Sequence, residues 1–159
     1  MKRRVVITGM GTINPLGHNT QDTWENVKKG VCGIDRITQI DTSEFKVKIA
    51  GEVKDYNPDE YLDKKEAKRM DRYTQFAMIA AKEAFADSGL DMTKENPLRC
   101  GTIVSSGIGG LKTIESEHDR GLSRGLRRFH RSLFRCQSRI WQPVRLRSRQ
   151  ALRVYVPVW

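Results

Sequence analysis

The sequence is short of the residues that usually make a protein's chemistry easy to recognise. Its three cysteines, Cys32, Cys100 and Cys136, are widely spaced and form no C-x-x-C pair. An odd, scattered set argues against a disulfide framework and a structural zinc site, and suits a reducing cytoplasm. Long apolar runs are missing as well. Lys2-Arg3-Arg4 has the charge of an export signal, but only Val5-Val6-Ile7 follows before Thr8-Gly9. That run is too short for export or for spanning a bilayer, so the chain reads as cytoplasmic and soluble, with no membrane partner. No G-x-x-x-x-G-K-[ST] occurs. Gly9-x-Gly11 begins a dinucleotide fingerprint, yet Asn14 stands where the third glycine belongs, and Pro15 and Gly17 delay the helix that would face a pyrophosphate. Neither a cofactor nor a metal is expected.

Acidic residues are absent from the end of the chain. Residues 120–159 hold 11 Arg and no Lys, Asp or Glu. The whole chain carries 29 basic and 19 acidic side chains, so residues 1–119 keep 18 basic against all 19 acidic, a net charge of −1. The formal charge of +10 therefore belongs to the tail. With 159 residues the chain suffices for one ordinary domain with a sizeable core.

What is present alternates between strand and helix signals. Arg4–Gly9, with three successive β-branched residues, predicts a first strand buried on both faces. After a Gly- and Pro-punctuated loop, Thr20–Lys29 predicts a helix capped by Asn19 or Thr20, closed by Gly30, with Trp24 and Val27 as a narrow apolar stripe. Ile34–Glu44 reads as irregular, Val47–Val53 as a short strand, and Asn57-Pro58 as the start of a helical turn. Lys64–Ser88 gives the longest helical signal: Met70, Tyr73, Phe76, Ala77, Ala80, Ala81 and Ala84 recur every three or four residues, and Gly89 ends it.

Two features of this pattern bear on function. Lys65, Lys68, Arg69 and Arg72 would share one face of the long helix, beside Lys64. Such a run is commonly a solvated face, but five like charges in nine residues also suit an acidic partner. Thr102–Val104 reads as a buried strand running into Ser105-Ser106-Gly107-Ile108-Gly109-Gly110. There Ile108 is the single bulky side chain among glycines, either plugging the core beneath the turn or lining an apolar cavity.

Together these pieces resemble a known family. Val5-Val6-Ile7-Thr8-Gly9-Met10-Gly11, Pro15-Leu16-Gly17 and Trp24 look like the amino terminus of the β-ketoacyl-acyl-carrier-protein synthases. Lys65-Glu66-Ala67-Lys68-Arg69-Met70-Asp71, Ala84 with Asp87-Ser88-Gly89-Leu90, and Ser106-Gly107-Ile108-Gly109-Gly110-Leu111 extend the match in order, over about residues 2–125. Within the family the type II synthases of dissociated bacterial fatty acid synthesis are the most similar. The resemblance implies an α/β, thiolase-like fold with a buried sheet between helices, working as a homodimer. It implies condensation of an enzyme-held acyl thioester with malonyl-carrier protein, with loss of carbon dioxide, through a cysteine nucleophile and two histidines. It also implies that Lys65, Lys68 and Arg69 dock the acidic acyl carrier protein, and that Ile108 lies at the floor or gate of the acyl-chain pocket.

The sequence leaves the family pattern before that chemistry arrives. After Gly121-Leu122-Ser123-Arg124-Gly125 it turns Arg-rich, so residues 1–125 are read as the N-terminal part of the synthase domain and 126–159 as an unrelated, disordered tail. Cys136 stands between Arg135 and Gln137-Ser138, without the small neighbours of the family's nucleophile, and His18, His118 and His130 match no catalytic motif. No catalytic residue is assigned. An abrupt switch to Arg, Ser, Leu, Trp and Pro is what a shifted reading frame commonly produces. The alternative is a basic arm for nucleic acid, in which Arg neutralises phosphate while Phe129, Phe134, Trp141 and Tyr155 stack on bases.

Overall fold

In the computed structural model the described residues are 5–96, 100–101, 103–124 and 155–158. The chain divides into two compact units, Met1–Tyr61 with Ile79–Leu90, and Leu62–Met78 with Asp91–Trp159.

The first unit is built on glycine and alanine. Helix α1 (Thr20–Lys28) starts as the sequence indicates: the Asn19 side chain accepts from the Asp22 N–H at 2.7 Å, and Gly30 leaves the helix at φ +69°. Its Trp24–Val27 stripe remains exposed, and none of its residues is buried. The loop before it lies against the second half of helix α3 (Arg72–Ser88). A Cβ on Gly9 would overlap the Ala84 carbonyl and the Ser88 nitrogen; one on Gly11 would overlap the Ala80 carbonyl and the Ala84 nitrogen. Ile79, Ala80 and Ala81 are buried, as the periodicity predicts for the two alanines. Two carboxylates of α3 take N–H groups of this loop and of the start of α1. Asp87 accepts from Met10 at 2.8 Å, and Glu83 accepts from Thr12 at 2.9 Å and from Thr20 at 2.6 Å. Asn14 then holds the loop closed. Its Nδ2 donates to the hydroxyls of Thr12 and Thr23, both at 3.0 Å, and its Oδ1 accepts from Leu16 N at 2.8 Å.

The expected first strand does not form. Val5, Val6 and Ile7 are 92%, 61% and 83% exposed and belong to no strand. A strand of this kind needs neighbours that take its main-chain groups and cover its faces, and the described residues provide none. By contrast, β1 (Ile34–Arg36) appears inside a stretch read as irregular, pairing antiparallel with β2 (Ile49–Gly51). Side chains fasten this hairpin more than apolar pattern does. Lys54 bonds Asp35, holding its carboxyl below the ordinary value, and Glu52 is held low chiefly by the Thr38 N–H that it accepts at 2.9 Å.

In the second unit the long predicted helix is interrupted. Helix α2 covers only Lys64–Ala67, capped by Asp63, whose carboxylate accepts from Lys65 N at 2.9 Å and Glu66 N at 3.2 Å. The next bonds tighten to three-residue steps, Arg69 N to Glu66 O and Met70 N to Ala67 O, which ends the helix. The Gln75 amide then donates to the carbonyls of Ala67 and Met70, at 2.9 and 3.2 Å, and α3 begins afresh at Arg72. Leu62, Ala67 and Ala77 are the buried apolar side chains here.

Strand β3 (Ile103–Ser106) forms where the β-branched run lies and leads through a turn to α4 (Leu111–Arg124). It pairs in parallel with β4 (Tyr155–Val158), from Ile103 opposite Tyr155 to Ser106 opposite Val158. Strand β4 falls within the segment that the sequence sets apart as a tail. The rest of residues 125–159 lies outside the described residues. Both ladders have two strands, so a sheet buried between helices is not assembled among the described residues. No described helix is long and apolar enough to cross a membrane.

The close approach of Gly11 to α3 yields a test. Gly11→Ala sets a methyl against main-chain atoms that cannot rotate away, and should lower stability by about 1–3 kcal/mol. Gly107, where a Cβ would meet nothing within 4 Å, is the control, and Gly107→Ala should leave the denaturant midpoint nearly unchanged. An unaltered midpoint for Gly11→Ala would mean that the loop does not pack against the helix.

Candidate functional site

The residues singled out by sequence gather in the second unit, in the segment Lys64–Arg72 and the turn between β3 and α4. Lys64, Lys65, Lys68 and Arg69 are all exposed. The interruption after Ala67 changes their arrangement. Lys65 stands on α2, Lys68 is its C-cap and Arg69 lies beyond it, so they share an exposed bend rather than one face of a long helix. Arg72 opens α3 instead, its guanidinium 5.3 Å from the centre of the Phe76 ring.

The turn carrying Ile108 is pinned on both sides. On one side Gly109 N donates to the Ser106 hydroxyl at 3.1 Å, and Gly109 adopts φ +83°, where a side chain would be strained. On the other, Gly110 is buried, and a Cβ there would overlap the whole carboxyl of Asp71. That carboxylate also accepts from the Thr113 hydroxyl in the first turn of α4. Ile108 itself is 68% exposed, so it does not plug a core beneath the turn.

Nucleophile chemistry finds no partners among the described residues. Cys32 is exposed, and Cys100 is half-buried; their thiols meet the carbonyls of Ile34 at 3.8 Å and Asn96 at 3.6 Å. His18 Nε2 donates to the Lys54 carbonyl at 2.9 Å, while Nδ1 accepts from the Tyr61 hydroxyl at 3.4 Å, beside the stacked rings of Tyr56 and Tyr61. Both ring nitrogens are thereby engaged in local structure. His118 is exposed next to Asp119, at 3.7 Å. Among the described residues no group of His, Cys, Asp and Glu could hold a metal ion. Cys136 and His130 lie outside the described residues.

Sequence reasoning passed over Asp71, Glu83 and Asp87. Asp71 and Asp87 sit inside matched motifs without a role of their own. Their partners are 42 and 77 residues away, a distance at which no local pattern signals a contact.

A glycine loop on an alanine helix, an exposed basic bend and a strand–glycine turn–helix together make an α/β chain. The chain belongs to the β-ketoacyl synthase family, whose N-terminal domain it matches over residues 2–136. Among particular relatives it is 50% identical over 126 residues to the 3-oxoacyl-[acyl-carrier-protein] synthase 2 of Staphylococcus aureus (strain COL), covering 79% of this chain and 30% of that one. To the synthase 2 of Vibrio harveyi it is 42% identical over 127 residues, 80% of this chain and 31% of the other. The chain thus spans about a third of the length of these curated relatives. Solved structures agree on the fold. The ishigamide ketosynthase/chain length factor superposes with a TM-score of 0.73 at 25% identity, over 98% of this chain and 40% of that one. A type II polyketide ketosynthase in complex with its acyl-carrier protein, bound to the hexaketide, superposes with a TM-score of 0.66 at 23% identity, over 90% and 37%.

Proposed function

We propose that this chain supplies the carrier-docking surface and part of the acyl pocket of a β-ketoacyl-acyl-carrier-protein synthase of fatty acid synthesis, without that enzyme's nucleophile. The family's reaction joins an enzyme-held acyl group to malonyl-carrier protein with loss of carbon dioxide, and the family works as a homodimer. The observation that carries the reading is the exposed basic bend at Lys65, Lys68 and Arg69, in a chain 50% identical over 126 residues to a synthase 2. Carrier proteins are acidic, so these charges would draw the partner in, an attraction that salt weakens. The neighbour seen with its acyl-carrier protein supports the choice of partner.

Lys65→Glu with Lys68→Glu should therefore slow association with an acyl carrier protein about tenfold or more at low salt, by surface plasmon resonance, with dissociation less affected. Unchanged affinity at low salt would return both lysines to an ordinary solvated face.

The 159-residue polypeptide should have no condensing activity by itself. His18 is bound into local structure, and neither described thiol meets an imidazole. Incubation with acyl- and malonyl-carrier protein should give no labelled 3-ketoacyl product. Turnover that disappears on cysteine alkylation would overturn this reading.

Ile108, bulky and exposed between Gly107 and Gly109, is proposed to border the acyl chain. Each buried methylene of that chain is worth about 0.8 kcal/mol, so a blocked pocket discriminates strongly by length. In a chimera joining residues 1–124 to the part of the Staphylococcus aureus relative beyond the match, Ile108→Phe should slow long acyl primers more than short ones. A flat length profile would take Ile108 out of the acyl pocket.

A further inference from the structure

Asp71 stands where the two parts of the candidate site meet. It follows Arg69 by two residues, at the junction of the basic bend with α3, and its carbonyl accepts from Gln75 N at 3.0 Å. Its half-buried side chain leaves this segment and reaches the Ile108 turn. The carboxylate accepts from the Thr113 hydroxyl and fills the space that any side chain on Gly110 would need. Gly110 in turn gives its carbonyl to Ile114 N at 3.0 Å, in the first turn of α4. A single residue, Gly109, therefore separates Ile108 from the point where Asp71 bears on the backbone. The far side of the turn is tied separately, by Ser106 to Gly109.

The basic bend is a small piece of its own, joined to α3 by side-chain bonds. Its helix is four residues long and ends in three-residue steps, and the Gln75 amide of α3 holds the carbonyls of Ala67 and Met70. We propose that Asp71 is a positioning residue that links the basic bend to the Ile108 turn, so that an acidic carrier protein docking on Lys65, Lys68 and Arg69 sets the position of the residue bordering its acyl chain. The link rests on the carrier-docking reading above, and it adds that binding at the bend and conformation at the turn are one coupled equilibrium. Acyl chains would then be admitted when a carrier is present to deliver them.

The test uses the full 159-residue chain and hydrogen exchange of Ser106–Ile114, free and with saturating holo-acyl-carrier protein. In the unaltered chain, carrier binding should change exchange at Ile108–Gly110 by about fivefold or more, the lower end of typical couplings. Asp71→Asn keeps an oxygen for Thr113 and should keep this response. Asp71→Ala should bind carrier within about twofold of the unaltered chain and lose the response, as expected of a linker outside the docking surface. Gly110→Ala should behave likewise. Its methyl meets the rotatable end of Asp71 rather than main chain, so it displaces the carboxylate while sparing the fold, and it carries the test if Asp71→Ala does not fold. A response that survives in the folded variants, or is missing from the unaltered chain with carrier bound, overturns the link and leaves docking intact. Failure of the unaltered chain to bind carrier overturns both. A purely structural Asp71 would raise exchange equally in the free and bound states and leave their ratio unchanged.

Discussion

The first unit depends on main chain touching main chain. Gly9 and Gly11 bring the N-terminal loop onto α3 at Ala80, Ala84 and Ser88 so closely that a methyl on either glycine has no room. The loop's N–H groups at Met10 and Thr12 then find side-chain rather than main-chain acceptors. The helix provides them on its own surface, since Glu83 and Asp87 accept the N–H groups of Thr12 and Met10. Glu83 also takes the N–H of Thr20 in the first turn of α1, so one carboxylate sets both the loop and the helix that follows it. Hydrogen bonds to charged groups contribute about 1.5–3 kcal/mol each, less where water still reaches them. The G-x-G pair that looks like part of a nucleotide fingerprint is thus used for helix packing, and Asn14, in the third glycine's place, closes the loop.

What could be read from sequence was local. The Asn19 cap, the stop at Gly30, the buried alanines of α3 and the strand at Ile103–Ser106 each follow from neighbours within a turn or two. The failures are those in which distant groups decide. Val5–Ile7 has strand composition, but composition cannot provide the neighbouring strands. The interruption after Ala67 depends on three-residue main-chain bonds and on Gln75 taking two carbonyls, while the apolar periodicity runs on as if nothing happened. In β1 the fastening comes from Asp35, Lys54 and Glu52, which a search for alternating apolar residues passes over. At the site, the basic residues and Ile108 were visible because their types are unusual where they stand. Asp71 was not, because one more acid beside five cations looks like ordinary charge balance.

The short helix α2 supports the functional reading of the basic bend on energetic grounds. Lys64 and Lys65 are its first two residues, and in a helix of one turn they lie within reach of both ends. Lys68 and Arg69 follow immediately and add repulsion of like sign. Asp63 offsets part of this by accepting two N–H groups, and Glu66 adds a second acid in the first turn. The local cost on this exposed bend is therefore the crowding of Lys64, Lys65, Lys68 and Arg69, four like charges in six residues. An acidic partner laid across the bend would neutralise the cations and remove their repulsion from one another. The arrangement that weakens the isolated helix is therefore the one that would strengthen the complex.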